Sequence, residues 1–327
     1  MRIAVTGSIA TDHLMTFDGV FSDSLVVDQL HKVALSFLVE DLQIRRGGVA
    51  ANIAFGLANL GGRPLLVGSV GEDFVDYRSW LERHGVDCSS VRVSELLHTA
   101  RFICTTDRAQ AQIASFYTGA MSEAREIELA PLLAGGPLDL VMISPNDPEA
   151  MRRHTQECRQ RGIPFAADPS QQLAWSDGAQ IRELIDGATF LFSNDYEAAL
   201  IGQKTGWSSQ QVAAVVEVRV TTHGHDGVVV ERRGEAAIKV PAVFTDAVAD
   251  PTGVGDGFRA GFLAALSWGL PDERCAQVGC LLATSVLETV GTQEYVLGTA
   301  SFLRRLALTY GDDAAADVEP LLHLPRP

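Results

Sequence analysis

Short, unbroken apolar runs recur along the chain, at residues 3–5, 140–143, 165–167 and 190–192, each ending in polar residues or glycine. Between them, residues 50–60, 148–161 and 179–185 read as helices. A strand exposed on one face alternates apolar and polar side chains; a strand buried on both faces does not. The runs therefore predict a mostly parallel sheet covered by helices on both sides, a three-layer α/β/α domain. In such sheets, ligands bind beyond the carboxyl ends of the strands, so the chemistry is expected just after each run.

Two segments, 11–46 and 99–117, break this pattern. In the first, Leu35, Phe37 and Val39 alternate with Ser36, Leu38 and Glu40. In the second, Phe102 and Phe116 flank residues 107–111, a plausible turn. A hairpin symmetric about Ala109 places the two rings opposite one another on one face. Spacing alone fits ordinary cross-strand packing as well as a binding role. Both segments predict a small β-sheet lid at the edge of the main domain. With no Pro/Gly/Ser-rich linker, residues 1–327 are expected to form a single domain.

Composition narrows the classes. The 327 residues are 46% hydrophobic and carry a net charge of −15. That excess of carboxylates argues against a nucleic-acid backbone binder, which needs a basic face. Small phosphate ligands remain open, because backbone N–H groups and helix N-termini bind them without basic side chains. The chain runs directly into its first apolar run without a signal-like region, and its late apolar stretches are too short to span a bilayer. Cys88, Cys104, Cys158, Cys275 and Cys280 form no C-x-x-C pair and read as reduced thiols. A cytoplasmic protein with no membrane or nucleic-acid partner is expected.

The segment Asp250-Pro-Thr-Gly-Val-Gly-Asp256-Gly-Phe-Arg-Ala-Gly-Phe262 carries the most chemistry. Gly253 and Gly255 precede Phe258, Phe262, Leu263 and Leu266 at helical spacing, so the glycines sit at a helix start. Unobstructed N–H groups and the positive helix end then form an anion hole. Asp256 inside it is placed to take a proton from a hydroxyl attacking a phosphate. The alternative is a helix capped by Thr252, with Asp256 satisfying first-turn N–H groups. A second cluster, Arg46-Gly47-Gly48 to Asn52, opens another helix. Neither is a Walker A loop, since no Gly-Lys-Ser/Thr follows, and the G-x-G-x-x-G dinucleotide fingerprint is missing after the first run.

Together these segments resemble the ribokinase-type (PfkB) family of carbohydrate and nucleoside kinases. Gly71-Glu-Asp73, Gly85-Val-Asp87, Asn194-Asp-Tyr-Glu197 and Thr221-Thr-His-Gly224-His-Asp-Gly227 fall between the two signatures in family order. Gly7 to Asp12, Arg101 to Thr106, Ala111 to Tyr117 and Asp168 to Gln172 resemble the family's actinobacterial adenosine kinases. The resemblance implies a ribokinase-like fold and an ATP- and Mg²⁺-dependent enzyme that phosphorylates the 5′-hydroxyl of adenosine in purine salvage. Asp256 would be the base, and the N–H groups of Gly253, Val254 and Gly255 would stabilise the transferring phosphoryl group. Asp12 would bind the ribose hydroxyls, with Ser8, Ser36, Gly48, Asn52, Gln171 and Gln172 completing the nucleoside pocket and Phe102 and Phe116 enclosing the purine. Thr222, His223, Gly224, His225, Asp226, Gly227 and Gly255 would lie along ATP. Asn194 and Glu197 would hold phosphates and hydrated Mg²⁺, and Asp250 would help bind K⁺. It also implies a homodimer joined through the lids. Val254, Gly257 and Trp175 depart from the family pattern, the last two replacing an alanine and a basic residue. A sugar kinase of the ribose or fructose class and a catalytically silent nucleotide sensor are the alternatives.

Overall fold

In this computed structural model, which describes residues 1–24 and 36–324, thirteen strands divide between two sheets. In chain order they are β1 (Ile3–Thr6), β2 (Ala10–Phe17), β3 (Asp41–Gly47), β4 (Leu65–Gly71), β5 (Val91–Ser94), β6 (Ala100–Asp107), β7 (Gln112–Tyr117), β8 (Leu140–Ile143), β9 (Phe165–Ala167), β10 (Phe190–Asn194), β11 (Val218–Thr222), β12 (Val228–Arg232) and β13 (Ile238–Val240). The larger sheet has nine strands in the order β13-β12-β11-β10-β9-β8-β1-β4-β5. From β5 to β11 all neighbours are parallel, and β12 and β13 add an antiparallel edge.

Burial on both faces explains why the strand runs lack alternation. Along β1, β8 and β10, Val5, Met142, Phe190 and Phe192 enter one core, while Ala4, Val141, Ile143 and Leu191 enter the other. The helices are α1 (Val49–Asn59), α2 (Val75–Arg83), α3 (Pro148–Arg161), α4 (Gly178–Ile185), α5 (Asp195–Thr205), α6 (Ser209–Val215), α7 (Val254–Ser267), α8 (Asp272–Leu287), α9 (Thr299–Tyr310) and α10 (Asp312–Val318). The first core is filled by α1, α7 and α8, the second by residues of α3 to α6. The result is the ribokinase-like layered α/β fold with a separate smaller sheet. After β1 the chain builds β4 and β5 on one side, then returns to build β8 to β11 on the other. The crevice beyond β1 and β8 is thus a topological switch point, where such sheets bind ligands.

The smaller sheet has the order β3-β2-β6-β7. The hairpin of β6 and β7 takes the expected register, with Phe102 opposite Phe116. Its turn is fixed by Asp107, whose Oδ1 accepts from the Ala111 N–H at 2.8 Å. The alternation at residues 35–40 does not form a strand in the described part: residues 36–39 are irregular, and Leu35 lies outside the described residues. The strand begins at Asp41, where pairing with β2 can run to Gly47 opposite Ala10. Phe37 instead packs on Phe17 and Phe21, at ring separations of 4.9 and 5.2 Å. The apolar pattern there marks an aromatic cluster.

Close contact between α7 and α8 also accounts for one departure from the family pattern. A Cβ on Gly257 would stand 2.7 Å from Val286 Cγ2, a methyl on a stiff, buried side chain. Alanine would gain about 0.5–1 kcal/mol of helix propensity, but overpacking typically costs about 1–3 kcal/mol. Gly257→Ala is therefore expected to lower the urea midpoint with an unchanged m-value; a raised midpoint would show that α8 yields freely.

Candidate active site

A cavity of about 1830 Å³ opens at the switch point and runs between the small sheet and the N-terminus of α7. Pockets for single small ligands measure about 300–1,000 Å³, so this space exceeds what one small ligand needs. At one end, Asp12, Phe102 and Phe116 occupy one row across β2, β6 and β7. At the other lie Asn194, Glu197, Thr222, Gly224, His225 and Gly227. Gly253, Val254, Gly255 and Asp256 line it between them, with Ser8, Gly48, Asn52, Gln171 and Gln172 around the wall.

The start of α7 is shaped by Gly253, whose φ of 76° is a left-handed value that favours glycine. Thr252 does not cap the helix: no side chain bonds its N-terminus. The first i to i−4 bond runs from the Gly257 N–H to Gly253 O, so the N–H groups of Gly255 and Asp256 precede the helical ladder. They and the positive end of the helix are open toward the cavity, a geometry that suits an anion.

Asp256 is held from α1. Its Oδ2 accepts from Asn52 Nδ2 at 2.8 Å. Asn52 Oδ1 in turn accepts from Thr292 Oγ1 and Gln293 Nε2, each at 2.9 Å. With its oxygen so engaged, the Asn52 amide can only donate toward Asp256. Gln293 Nε2 also donates to Tyr77 Oη, which donates to Gly47 O. Burial pushes the Asp256 carboxyl up to about 6, opposed by the Asn52 hydrogen bond and the charge of Arg259. Asp12 is also raised to about 6 by burial, with Arg45 opposing and Asp250 reinforcing the shift.

At the other end, Asn194 and Glu197 form a capping box on α5: the Glu197 N–H donates to Asn194 Oδ1, and the Asn194 N–H to Glu197 Oε2. Glu197 Oε1 also accepts from Ser170 Oγ at 3.2 Å. A carboxylate fixed this way, with lone pairs to spare, fits a water-mediated partner of Mg²⁺, which keeps much of its hydration shell. Asp250 is different. Its Oδ1 accepts from the Thr252 N–H and its Oδ2 from the Gly291 N–H, with Arg45 Nη1 at 3.6 Å. Its carboxylate keeps lone pairs beyond these two contacts, and the Arg45 guanidinium competes for them.

Four expected residues lie outside the cavity lining: Ser36, His223, Asp226 and Asp250. Ser36 is exposed before β3. His223 gives its backbone N–H to Gly227 O in the turn between β11 and β12. In the other direction, sequence reasoning missed Thr292 and Gln293, because nothing in local spacing announces that they orient Asn52. It also passed over Arg259, one turn beyond Asp256 on the same helix face.

A switch-point crevice, a glycine-shaped helix start and a half-buried aspartate within it define a phosphotransferase of the ribokinase-like fold. The chain belongs to the pfkB family of carbohydrate kinases, whose model matches residues 11–297. A nucleoside kinase of Burkholderia thailandensis, solved in complex with inosine, superposes with a TM-score of 0.82 at 33% identity, over 95% of this chain and 99% of that one. The same enzyme in complex with ADP-inosine gives a TM-score of 0.79 at 34% identity, over 95% and 96%. A nucleoside kinase of Methanothermobacter thermautotrophicus is 29% identical over 288 residues, which is 87% of this chain and 92% of its own.

The raised proton affinity of Asp256 has a consequence for stability. A carboxyl moved from 3.8 to about 6 on folding contributes stability below the lower value, and this is lost as pH rises through the upper one. Asp256→Asn removes that loss, since an asparagine oxygen can still accept from Asn52. Its Tm is expected to exceed that of the unaltered protein at pH 7.5, with the difference vanishing near pH 4. An equal difference at both pH values would show that ionising Asp256 costs the fold nothing.

Proposed function

We propose that this chain is an ATP-dependent nucleoside kinase that transfers the γ-phosphoryl group to the 5′-hydroxyl of a purine nucleoside, with adenosine the first candidate. The observation that carries the reading is the row across the small sheet. Asp12 pairs with Phe102, and Phe102 with Phe116, so a carboxylate and two rings follow one another at successive strand spacings of about 4.8 Å. A ribose offers vicinal hydroxyls to the carboxylate, and its base then falls on the rings. A free sugar fills only the first position. Stacking on an aromatic ring is worth about 1–3 kcal/mol per base. The inosine bound in the Burkholderia nucleoside kinase and the nucleoside-kinase name of the Methanothermobacter relative support the same class.

In this reading Asp256 accepts the 5′-hydroxyl proton, the oxygen forms its bond to the γ-phosphorus, and the bond to the bridging oxygen breaks so that ADP leaves. The N–H groups at the start of α7 meet the charge on the transferring group. Glu197 and Asn194 would hold hydrated Mg²⁺, which when bound neutralises phosphate charge. The row on the small sheet closes over the nucleoside as a lid and excludes water. On the opposite face of that sheet Leu42, Ile44 and Ile113 are exposed, at 51%, 61% and 49%. A second copy of the lid is their proposed cover.

With Mg-ATP, ADP release is expected to favour adenosine over ribose and fructose by at least about tenfold in kcat/KM, or about 1.4 kcal/mol. Phe116→Ala should raise KM for the nucleoside about tenfold or more, and Asp256→Asn should lower kcat about 10²–10⁴-fold. A sugar preference insensitive to Phe116→Ala would replace the nucleoside reading with the sugar kinase. Sedimentation at micromolar concentration should give a dimer that Ile44→Asp dissociates; a monomer throughout would remove the lid pairing.

A further inference from the structure

Arg259 enters the site from beneath. It follows Asp256 by one turn on α7, is only 7% exposed, and forms part of the cavity wall. Its Nη2 donates to Asp168 Oδ1 at 2.6 Å, and the two side chains are 9% and 0% exposed. Asp168 follows β9 and starts the loop that carries Ser170, Gln171 and Gln172. Ser170 is held at φ 39°, a strained value for a residue with a side chain, and its Oγ donates to Glu197. The loop is thus pinned to α7 at one end and to α5 at the other. On its other side the guanidinium lies under the anion-binding turn: a Cβ on Gly255 would stand 2.8 Å from Arg259 Nη1.

As a purely structural pair this would be poorly made. Arg259 Nε and Asp168 Oδ2 have no hydrogen-bond partner, and buried ion pairs are often no better for stability than apolar residues of the same volume. Three carboxylates from three elements face the one guanidinium: Asp168, Asp256 and Glu197. Asp256 itself faces Asn52 from α1, and Tyr295 also senses its charge. We propose that Arg259, braced by Asp168, is a positioning residue for phosphoryl transfer. It fixes the glycine turn and the 168–172 loop on either side of the phosphate path and sets a positive charge beside Asp256.

The inference rests on Asp256 acting as the base, and Asp256→Asn assayed alongside tests that separately: turnover surviving in that variant removes the base reading itself. Two further variants test Arg259 by the acid limb of the kcat profile. Asp168→Leu/Arg259→Met removes both charges without stranding either. Asp168→Asn keeps the shape and leaves Arg259 unneutralised, and Glu197 stays in place in both. In the double variant the limb should move to higher pH by about one unit, with kcat down at least about tenfold. In Asp168→Asn it should move to lower pH. Opposite shifts are not expected from a structural role, so either folded variant decides the question. A limb that stays in place, or moves the same way in both, overturns the proposal.

Discussion

The hydrogen bond between Asn52 and Asp256 joins helices whose partner residues are 204 positions apart, and the site depends on it. A carboxylate held largely away from bulk water is costly to ionise. Here the cost is offset by one amide donor and one nearby guanidinium, leaving the group titrating near 6. The amide is reliable because Thr292 and Gln293 occupy its oxygen, and Gln293 is itself held by Tyr77. The chain of contacts reaches Gly47, where the small sheet joins α1. Orientation of Asp256 and attachment of the small sheet are therefore parts of one polar network, in which losing one member leaves others unsatisfied in a low-dielectric interior.

The same network shows why parts of the molecule were legible in the sequence and parts were not. Strands buried on both faces advertise themselves as unbroken runs, and β8 and β9 fall on the expected residues. The glycine turn was legible because a positive φ at Gly253 demands a particular residue type. The hairpin register followed from symmetry about Ala109, since side chains alternate with a period of two. Long-range satisfaction leaves no such trace. Thr292 and Gln293 have no periodic relation to Asn52, and Asp168 and Arg259 meet only because β9 and α7 are brought together by the sheet order. The alternation at residues 35–40 misled because three phenylalanines can cluster without a ladder.

Charge is economically distributed in a protein of net −15. At the α7 end of the cavity, positive potential comes from the aligned peptide groups of a helix start and from one buried arginine. Lysines contribute none of the cavity lining among the described residues. Backbone N–H groups of such a turn are oriented before any anion arrives, so in the proposed transfer little reorganisation would accompany the charge movement. Acidic side chains elsewhere on the surface do not compete at that short range, because solvent screens them beyond about 8–10 Å.

The small sheet carries the row from Arg45 through Asp12 to Phe102 and Phe116, whereas the turn and Asp256 belong to the layered sheet's helices. In the proposed function, recognition and reaction would thus lie on separate pieces of backbone. Substitutions along β6 and β7 can accumulate without disturbing the packing of α7 on α8, and the reverse holds for the helix pair. A lineage built on this plan can explore new acceptor molecules by drift on one sheet while the other is conserved by its own packing, so that a change of diet does not require reinventing the reaction.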